Sequence, residues 1–320
     1  MHIARSLFAS LFVALVPVAA SAQYPIRPVK IVVATPPGGA PDVAARLLAD
    51  QLSKSFGQPV VVENRQGANG NIAADAVAKA PPDGYTLLLG QDSTFVVNPH
   101  LYSRLSYDPG KDLAPVASVA SNQFILAVNP AIPAKTLPEL IDYARKAEPP
   151  LAYASGGNGS QHHLGMELLK QRSGINLTHI PYKGGAPAAV ATVAGETAVL
   201  FAGAASAGSI RGGQLRALAV TGPKRSNAFP DVPTIGEFYP GYSISIWLGL
   251  FAPAGTPEPI IGTLRREVHR LLASPEIQEK LNVSGSLDPL ILEPSAFAEL
   301  ITHDHERFGK IVKELGLKVD

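Results

Sequence analysis

Val29-Lys30-Ile31-Val32-Val33-Ala34, then Pro36-Pro37-Gly38-Gly39, then Asp42 to Phe56 with Val43, Leu47, Leu48 and Leu52 at helical spacing, reads as buried strand, glycine turn and amphipathic helix. The same order returns in the second half. Leu151 to Ala154 is a strand, Ser155-Gly156-Gly157-Asn158-Gly159-Ser160 a glycine turn, and Ser160 to Arg172 a helix with Ser160 as its N-cap and Gly174 behind it. A strand that turns on glycine into a helix aims backbone N–H groups, and the positive helix end, at whatever lies in front. Two such turns facing one cleft make a site for a small anion.

Working outward, Val60 to Glu63 and Tyr85 to Leu89 read as further strands, separated by a short alanine-rich helix from Asn71 to Lys79. Phe124 to Val128, His179 to Pro181, Ala198 to Phe201 and Leu215 to Val220 continue the strands. Helices are expected at Leu137 to Ala147 and Ala186 to Ala194, with closing helices at Pro259 to Ala273 and Pro294 to Leu315 after a return strand at Trp247 to Ala252. Alternation of this kind predicts an α/β protein with parallel, doubly wound sheets whose ligands sit at the carboxyl ends of the strands. The expected plan is two lobes, one of residues 24–123 plus 248–320 and one of residues 124–247, joined by crossings near 123 and 247, with the cleft between them and closure by hinge motion.

Residues 1–22 read as a cleaved signal peptide. Arg5 gives a positive start, Leu7 to Val18 form a short apolar run, and Ala20-Ser21-Ala22 fits the small-x-small cleavage rule. Without the leader 298 of the 320 residues remain, more than single cores usually support. The chain has no cysteine, so a disulfide framework and thiolate metal sites are excluded. It carries 27 Lys plus Arg against 26 Asp plus Glu, with no basic cluster, which argues against nucleic acid as a partner. Any anion site must therefore be local.

Enzyme motifs are missing. Ala204-Ala205-Ser206-Ala207-Gly208 lacks the first glycine of a nucleophile elbow. His303-Asp304-His305 and His162-His163 are the only dense histidine runs and read as helix faces, so no metal is expected. Neither glycine turn is followed by Lys-Ser/Thr, and Gly157-Asn158-Gly159 lacks the rest of a dinucleotide fingerprint, so no nucleotide or other cofactor is expected.

Several ordered runs carry a resemblance. Pro36-Pro37-Gly38-Gly39-Ala40-Pro41-Asp42, Val62-Glu63-Asn64-Arg65, Gly67-Ala68-Asn69-Gly70-Asn71, Pro82-Asp83-Gly84-Tyr85-Thr86-Leu87, Asn98-Pro99-His100-Leu101-Tyr102, Gly157-Asn158-Gly159-Ser160, Pro181-Tyr182-Lys183-Gly184-Gly185 and Leu215-Arg216-Ala217-Leu218-Ala219-Val220-Thr221 together resemble the Bug family, the TctC-type receptors of tripartite tricarboxylate transporters. The resemblance implies a periplasmic, non-enzymatic, monomeric receptor of two α/β lobes that closes over a small carboxylate and docks membrane permease subunits. A membrane sensor is the alternative partner. It also implies that backbone amides and waters hold the ligand carboxylate at the two turns.

Carried over by position, the first-lobe contacts are Pro37, Gly38, Gly39 and Asp42, with Gln91, Asp92, Ser93 and Thr94 after the third strand. Those of the second lobe are Ser155, Gly157, Asn158, Gly159, Ser160, His163 and Lys183, with Ala202 and Gly203 at the cleft edge. Asp42 reads equally well as a helix cap, and Lys183 more readily as a solvated loop lysine. Many similar chains carry an aspartate where this one has Ala202-Gly203-Ala204-Ala205. Without it a ligand ammonium has no partner there, which favours amine-free acids, a dicarboxylate or an aromatic acid.

Overall fold

The computed structural model describes residues 24–203, 206–226, 228–285 and 287–319; the expected leader, and Ala204 and Ala205 of the cleft edge, lie outside the described residues. The first sheet opens with β1 (Val29–Val33), α1 (Ala40–Phe56), β2 (Val60–Asn64), α2 (Asn71–Ala78) and β3 (Thr86–Gln91), close to the limits set by hydrophobic spacing. Three one-turn helices follow, α3 (Ser93–Val96), α4 (Asn98–Leu101) and α5 (Pro109–Asp112), and then the long strand β4 (Leu113–Gln123).

The chain then enters a second sheet through β5 (Ile125–Val128), α6 (Leu137–Lys146), β6 (Ala152–Ser155), α7 (Gln161–Ser173), β7 (Thr178–Pro181), α8 (Gly185–Val193), β8 (Val199–Ala202), α9 (Ala207–Arg211) and β9 (Arg216–Val220). It returns through β10 (Ser245–Pro253) and ends with α10 (Glu258–Leu272), α11 (Pro275–Gly285), β11 (Asp288–Pro289) and α12 (Pro294–Leu315). The return strand starts at Ser245, ahead of the expected crossing at 247, since Ser245, Ile246 and Trp247 already pair with Gln123, Asn122 and Ser121.

Both sheets are mixed, which corrects the all-parallel expectation. The first has the order β11-β4-β10-β3-β1-β2 and the second β7-β6-β8-β5-β9. In the first, β1, β2 and β3 are parallel while β10 runs antiparallel to β3 and to β4. The reason is connectivity. Strand β4 runs with the parallel strands and leaves the sheet at their carboxyl ends, so the strand that comes back must enter there and run the other way. The second sheet repeats this, with β5 antiparallel to β8 and β9. Both crossings therefore lie at the carboxyl ends of both parallel sets, where α/β sheets place their ligands.

One hydrophobic core is shared by the two sheets. Val32, Leu88 and Trp247 from the first join Leu126, Tyr153 and Phe201 from the second, with Phe297 and Phe308 of α12. Helix α12 packs on α3 and β4 and also on α7. Its Asp304, 5% exposed, accepts a hydrogen bond from Trp247 Nε1 at 3.0 Å and pairs with Arg307 at 3.1 Å.

Candidate functional site

At the first glycine turn the side chain of Asp42 folds back on its own helix. Its carboxylate accepts hydrogen bonds from Gly38 N at 2.9 Å, Asn64 Nδ2 at 2.8 Å and Arg46 Nε at 3.0 Å. Burial would raise its pKa, but the Arg46, Gly38 and Asn64 hydrogen bonds outweigh it and hold the group below the usual carboxylate range. Asp42 thus fixes the turn from inside the helix; the N-cap of α1 is Gly39, earlier than a cap at Asp42 would place it, and it carries no side-chain cap bond. Pro37 and Gly38 are exposed, whereas Thr35, Pro36, Gly39, Ala40 and Pro41 face the cleft.

The second turn corrects an expectation, because several of its amides are not bare. Gly157 N donates to Ser155 Oγ at 3.1 Å, Gly159 N to His163 Nδ1 at 3.1 Å and Ser160 N to the Gly157 carbonyl at 3.2 Å. Ser160 Oγ caps α7 by accepting from His163 N at 3.3 Å. The N–H groups of Gln161 and His162, in the first turn of α7, are left to face outward. Ser155 and His163 are therefore braces beneath the turn. Ser155 Oγ also bonds His179 Nε2 at 2.6 Å, and the His179 ring stacks between Tyr153 (4.9 Å) and His163 (4.1 Å). Burial pushes His179 down to about 4 and lowers His163 as well, so both rings are neutral near pH 7.

The two turns face a cavity of about 510 Å³. Of the residues expected to touch ligand, Gly39, Gln91, Ser93, Gly157, Asn158, Ser160, Lys183 and Gly203 line it. Pro37, Gly38, Asp42, Asp92, Thr94, Ser155, Gly159, His163 and Ala202 lie behind or beside its wall. The wall also contains residues outside the expected contact set: the Gly67-Ala68-Asn69-Gly70 loop, Asn122, Phe124, Gln161, His162, Tyr182 and Ile246. Ala68 and Asn69 have φ of 45° and 50°, a left-handed kink uncommon for such residues. The kink aims Asn69 Nδ2 at Asn98 Oδ1 (2.6 Å) and at the Gly159 carbonyl of the opposite turn (3.1 Å).

Among the described residues no Asp or Glu lines the cavity, and Lys183 is its one Lys or Arg. His162 packs its ring on Phe124 at 4.3 Å, and burial pushes it down to about 4, so it adds no charge. The wall is one of neutral amides, hydroxyls and helix ends. Such a surface stabilises a small anion by hydrogen bonds and dipoles and offers an ammonium no counterion.

The sheets touch across the cavity mouth where Gly184 meets Pro36. Gly184 has φ of +113°, and a Cβ there would sit 3.1 Å from Pro36 Cδ and Cγ. Gly184→Ala carries two penalties that separate experimentally. Backbone strain, about 1–3 kcal/mol, lowers the melting temperature whatever the lobes do. The Pro36 contact joins the two sheets across the cavity, so ligand affinity should fall by about tenfold beyond what the stability loss accounts for. Unchanged affinity by calorimetry would show that this contact does not limit closure.

The chain matches the family described as tripartite tricarboxylate transporter family receptor, TctC, over residues 44–317. It is 40% identical over 299 residues to protein BugT of Bordetella pertussis, covering 92% of this chain and 91% of that one. Among solved structures it resembles R. palustris Rpa4515 with adipate, at TM-score 0.88 and 35% identity over 92% of this chain and 99% of that one. It also resembles MatC from Rhodopseudomonas palustris with bound malate, at TM-score 0.83 and 33% identity over 90% and 100% of the two chains. These neighbours share the two-lobe periplasmic-binding-protein fold, and their family is one of solute-binding receptors and not of enzymes. With fold, cleft and sequence in agreement along most of its length, the chain belongs to the TctC family of tripartite tricarboxylate transporter receptors.

Proposed function

We propose that this protein is an exported periplasmic receptor that captures an amine-free carboxylate, a dicarboxylate or an aromatic acid, and delivers it as a monomer to the permease subunits of a tripartite tricarboxylate transporter. The observation that carries this reading is the cavity wall, with two helix ends, many neutral amides, one lysine and no acidic side chain among the described residues. Adipate and malate in the two similar structures point to the same ligand class. Hinge closure of the lobes about the crossings brings Gly39 and the Gly157-Asn158 turn together on the ligand.

The test is thermal melting of residues 23–320 against dicarboxylates, tricarboxylates, aromatic acids and amino acids. A ligand at about a hundred times its dissociation constant adds about 2.7 kcal/mol, a rise of roughly 5 °C for a chain of this size. A selective rise with amine-free acids is expected. Aspartate or glutamate binding more tightly than every amine-free acid would overturn the ligand class, and a flat panel would overturn the receptor reading.

A further inference from the structure

Helix α12 and the residues after it link the second crossing to the cavity. At the crossing, Asp304 accepts from Trp247 Nε1 at 3.0 Å and Arg307 donates to the Ser243 carbonyl at 3.1 Å. From Arg307 to Leu315 the helix advances about 12 Å. It closes on Gly316, with φ of 62°, where Gly316 N donates to the Lys313 carbonyl at 3.2 Å and Leu317 N to the Val312 carbonyl at 3.3 Å. This pair of bonds is the turn that glycine permits behind a helix, and it redirects the chain. Val319 then lies beside Tyr102, just past α4, in a parallel bridge, and its N–H donates to the Leu101 carbonyl at 3.1 Å. Tyr102 and Val319 both line the cavity.

The same two segments reach the other lobe. A Cβ at Gly159, in the second glycine turn, would lie 2.6 Å from Leu101 Cδ1 and 3.5 Å from Val319 Cγ2, so only bare backbone fits between them. The Gly159 carbonyl also accepts from Asn69 Nδ2 at 3.1 Å. Three separate stretches of the first lobe, the Asn69 loop, α4 and residues 316–319, therefore converge on one glycine of the second. They are not equally secure. Leu101 is buried, and Asn69 is held by Asn98 at 2.6 Å. Gly316 and Lys318 are exposed, while Leu317 and Val319 are only partly buried against the shared core. A segment with so few buried contacts opens more readily than the sheets and helices around it.

We propose that residues 316–319 are a strap that pins the second glycine turn to the first lobe and keeps the cavity closed until it lifts. The proposal deepens the receptor reading by naming what regulates access to its site; it rests on that reading for its purpose and on the contacts at Gly159 for its mechanics.

The test is a distance measurement between two spin labels. The chain has no cysteine, so a labelled pair carries no background. Val61 of β2 and Val190 of α8 are 48% and 70% exposed and accept Val61→Cys and Val190→Cys at the surface. Strand β2 is separated from the crossing strands β4 and β10 by β3 and β1, and α8 packs on β6 and β8, so rotation about the crossings changes the distance between the labels. Ligand-free native protein should give one distance. Deletion of residues 316–320 should add a second, longer one in on the order of a tenth of the molecules or more, about tenfold above native. Val319→Gly keeps the backbone bond and removes the side chain over Gly159; it should give a smaller rise in the same longer distance, and it decides the matter if the deletion does not fold. An unchanged distance in both variants overturns the strap. So does native protein that already shows the longer distance in that proportion, or a variant whose distances broaden with a lowered melting temperature and no discrete second value, which marks general loss of stability. No ligand enters the measurement, so a flat ligand panel overturns the receptor reading and leaves this result standing.

Discussion

Thr221→Val is expected to lower the melting temperature by about 4–10 °C although it removes a single hydroxyl and changes volume little. Thr221 is fully buried at the point where the chain enters and leaves the second sheet. Its Oγ1 accepts from Phe124 N at 2.9 Å, just after the first crossing, and donates to the Ile244 carbonyl at 2.6 Å, just before the second. Its backbone ties the same two residues, with Thr221 N donating to the Phe124 carbonyl at 2.9 Å and Ile244 N to the Thr221 carbonyl at 2.8 Å. Valine leaves a buried N–H and a buried C=O unpaired, at about 1–3 kcal/mol each, and a chain of this size loses roughly 2 °C per kcal/mol. Serine at the same position retains the hydroxyl and should recover most of the loss. A valine variant melting within 2 °C of native protein would sink the idea that this hydroxyl secures the crossings.

The position of this tie also shows what a one-dimensional reading misses. Hydrophobic spacing places β1, α1 and β6 within a few residues because each buries an apolar face with a simple period, whereas α7, buried nearly all round, is marked by its Ser160 and Gly174 caps. Strand β4, Leu113 to Gln123, escapes it. Pro115, Ser118 and Ser121 break its apolar run, and the pairing that makes it a strand comes from β10, far along the chain. The antiparallel member of each sheet is hidden for the same reason, since strand direction follows from where the chain crosses.

The site divides along a similar line. The two glycine turns are legible because Gly38, Gly157 and Gly159 hold the left-handed backbone that glycine favours, and Gly39, Gly157, Asn158 and Ser160 line the cavity. Which atoms remain open to a ligand is not legible, because Asp42, Ser155 and His163 act from beneath as braces. Asn122 and Gln161 carry no motif; their place in the buried wall exists only once the sheets meet. The Gly67-Ala68-Asn69-Gly70 loop, quoted above only for its resemblance, takes a left-handed kink at Ala68 and Asn69 that hydrophobic spacing does not register.

Between pH 6.5 and pH 4.5 the protein is expected to lose on the order of 3 kcal/mol of stability, above the range where ordinary carboxylates titrate. Burial pushes both His162 and His179 down to about 4, and lowers His163 also, while unfolded histidine titrates near 6.5. The unfolded chain therefore binds protons first, and the stability present above pH 6.5 is lost as pH falls towards 4. Asp92 acts in the opposite sense. Raised by burial and by Asp304, it holds a proton in the folded state that the unfolded chain releases, so this group recovers stability as pH falls. Five histidines, His100 and His269 with the three above, are lowered by burial against two aspartates, Asp92 and Asp288, raised by it, which leaves a net uptake of about one to two protons on unfolding at about 1.4 kcal/mol per pH unit for each. Asp42 and Glu167, lowered by their hydrogen bonds in spite of burial, add to the loss chiefly below about pH 4.5. Urea unfolding at several pH values measures the slope directly. His179→Asn, which keeps a partner for Ser155 Oγ and removes one titrating ring, should reduce the uptake by about one proton; a native profile flat over this window, or a His179→Asn slope equal to native, would refute the assignment. Since Gly159 N donates to His163 Nδ1, protonating that ring also breaks the bond that sets the second turn, so carboxylate affinity should fall in the same pH window.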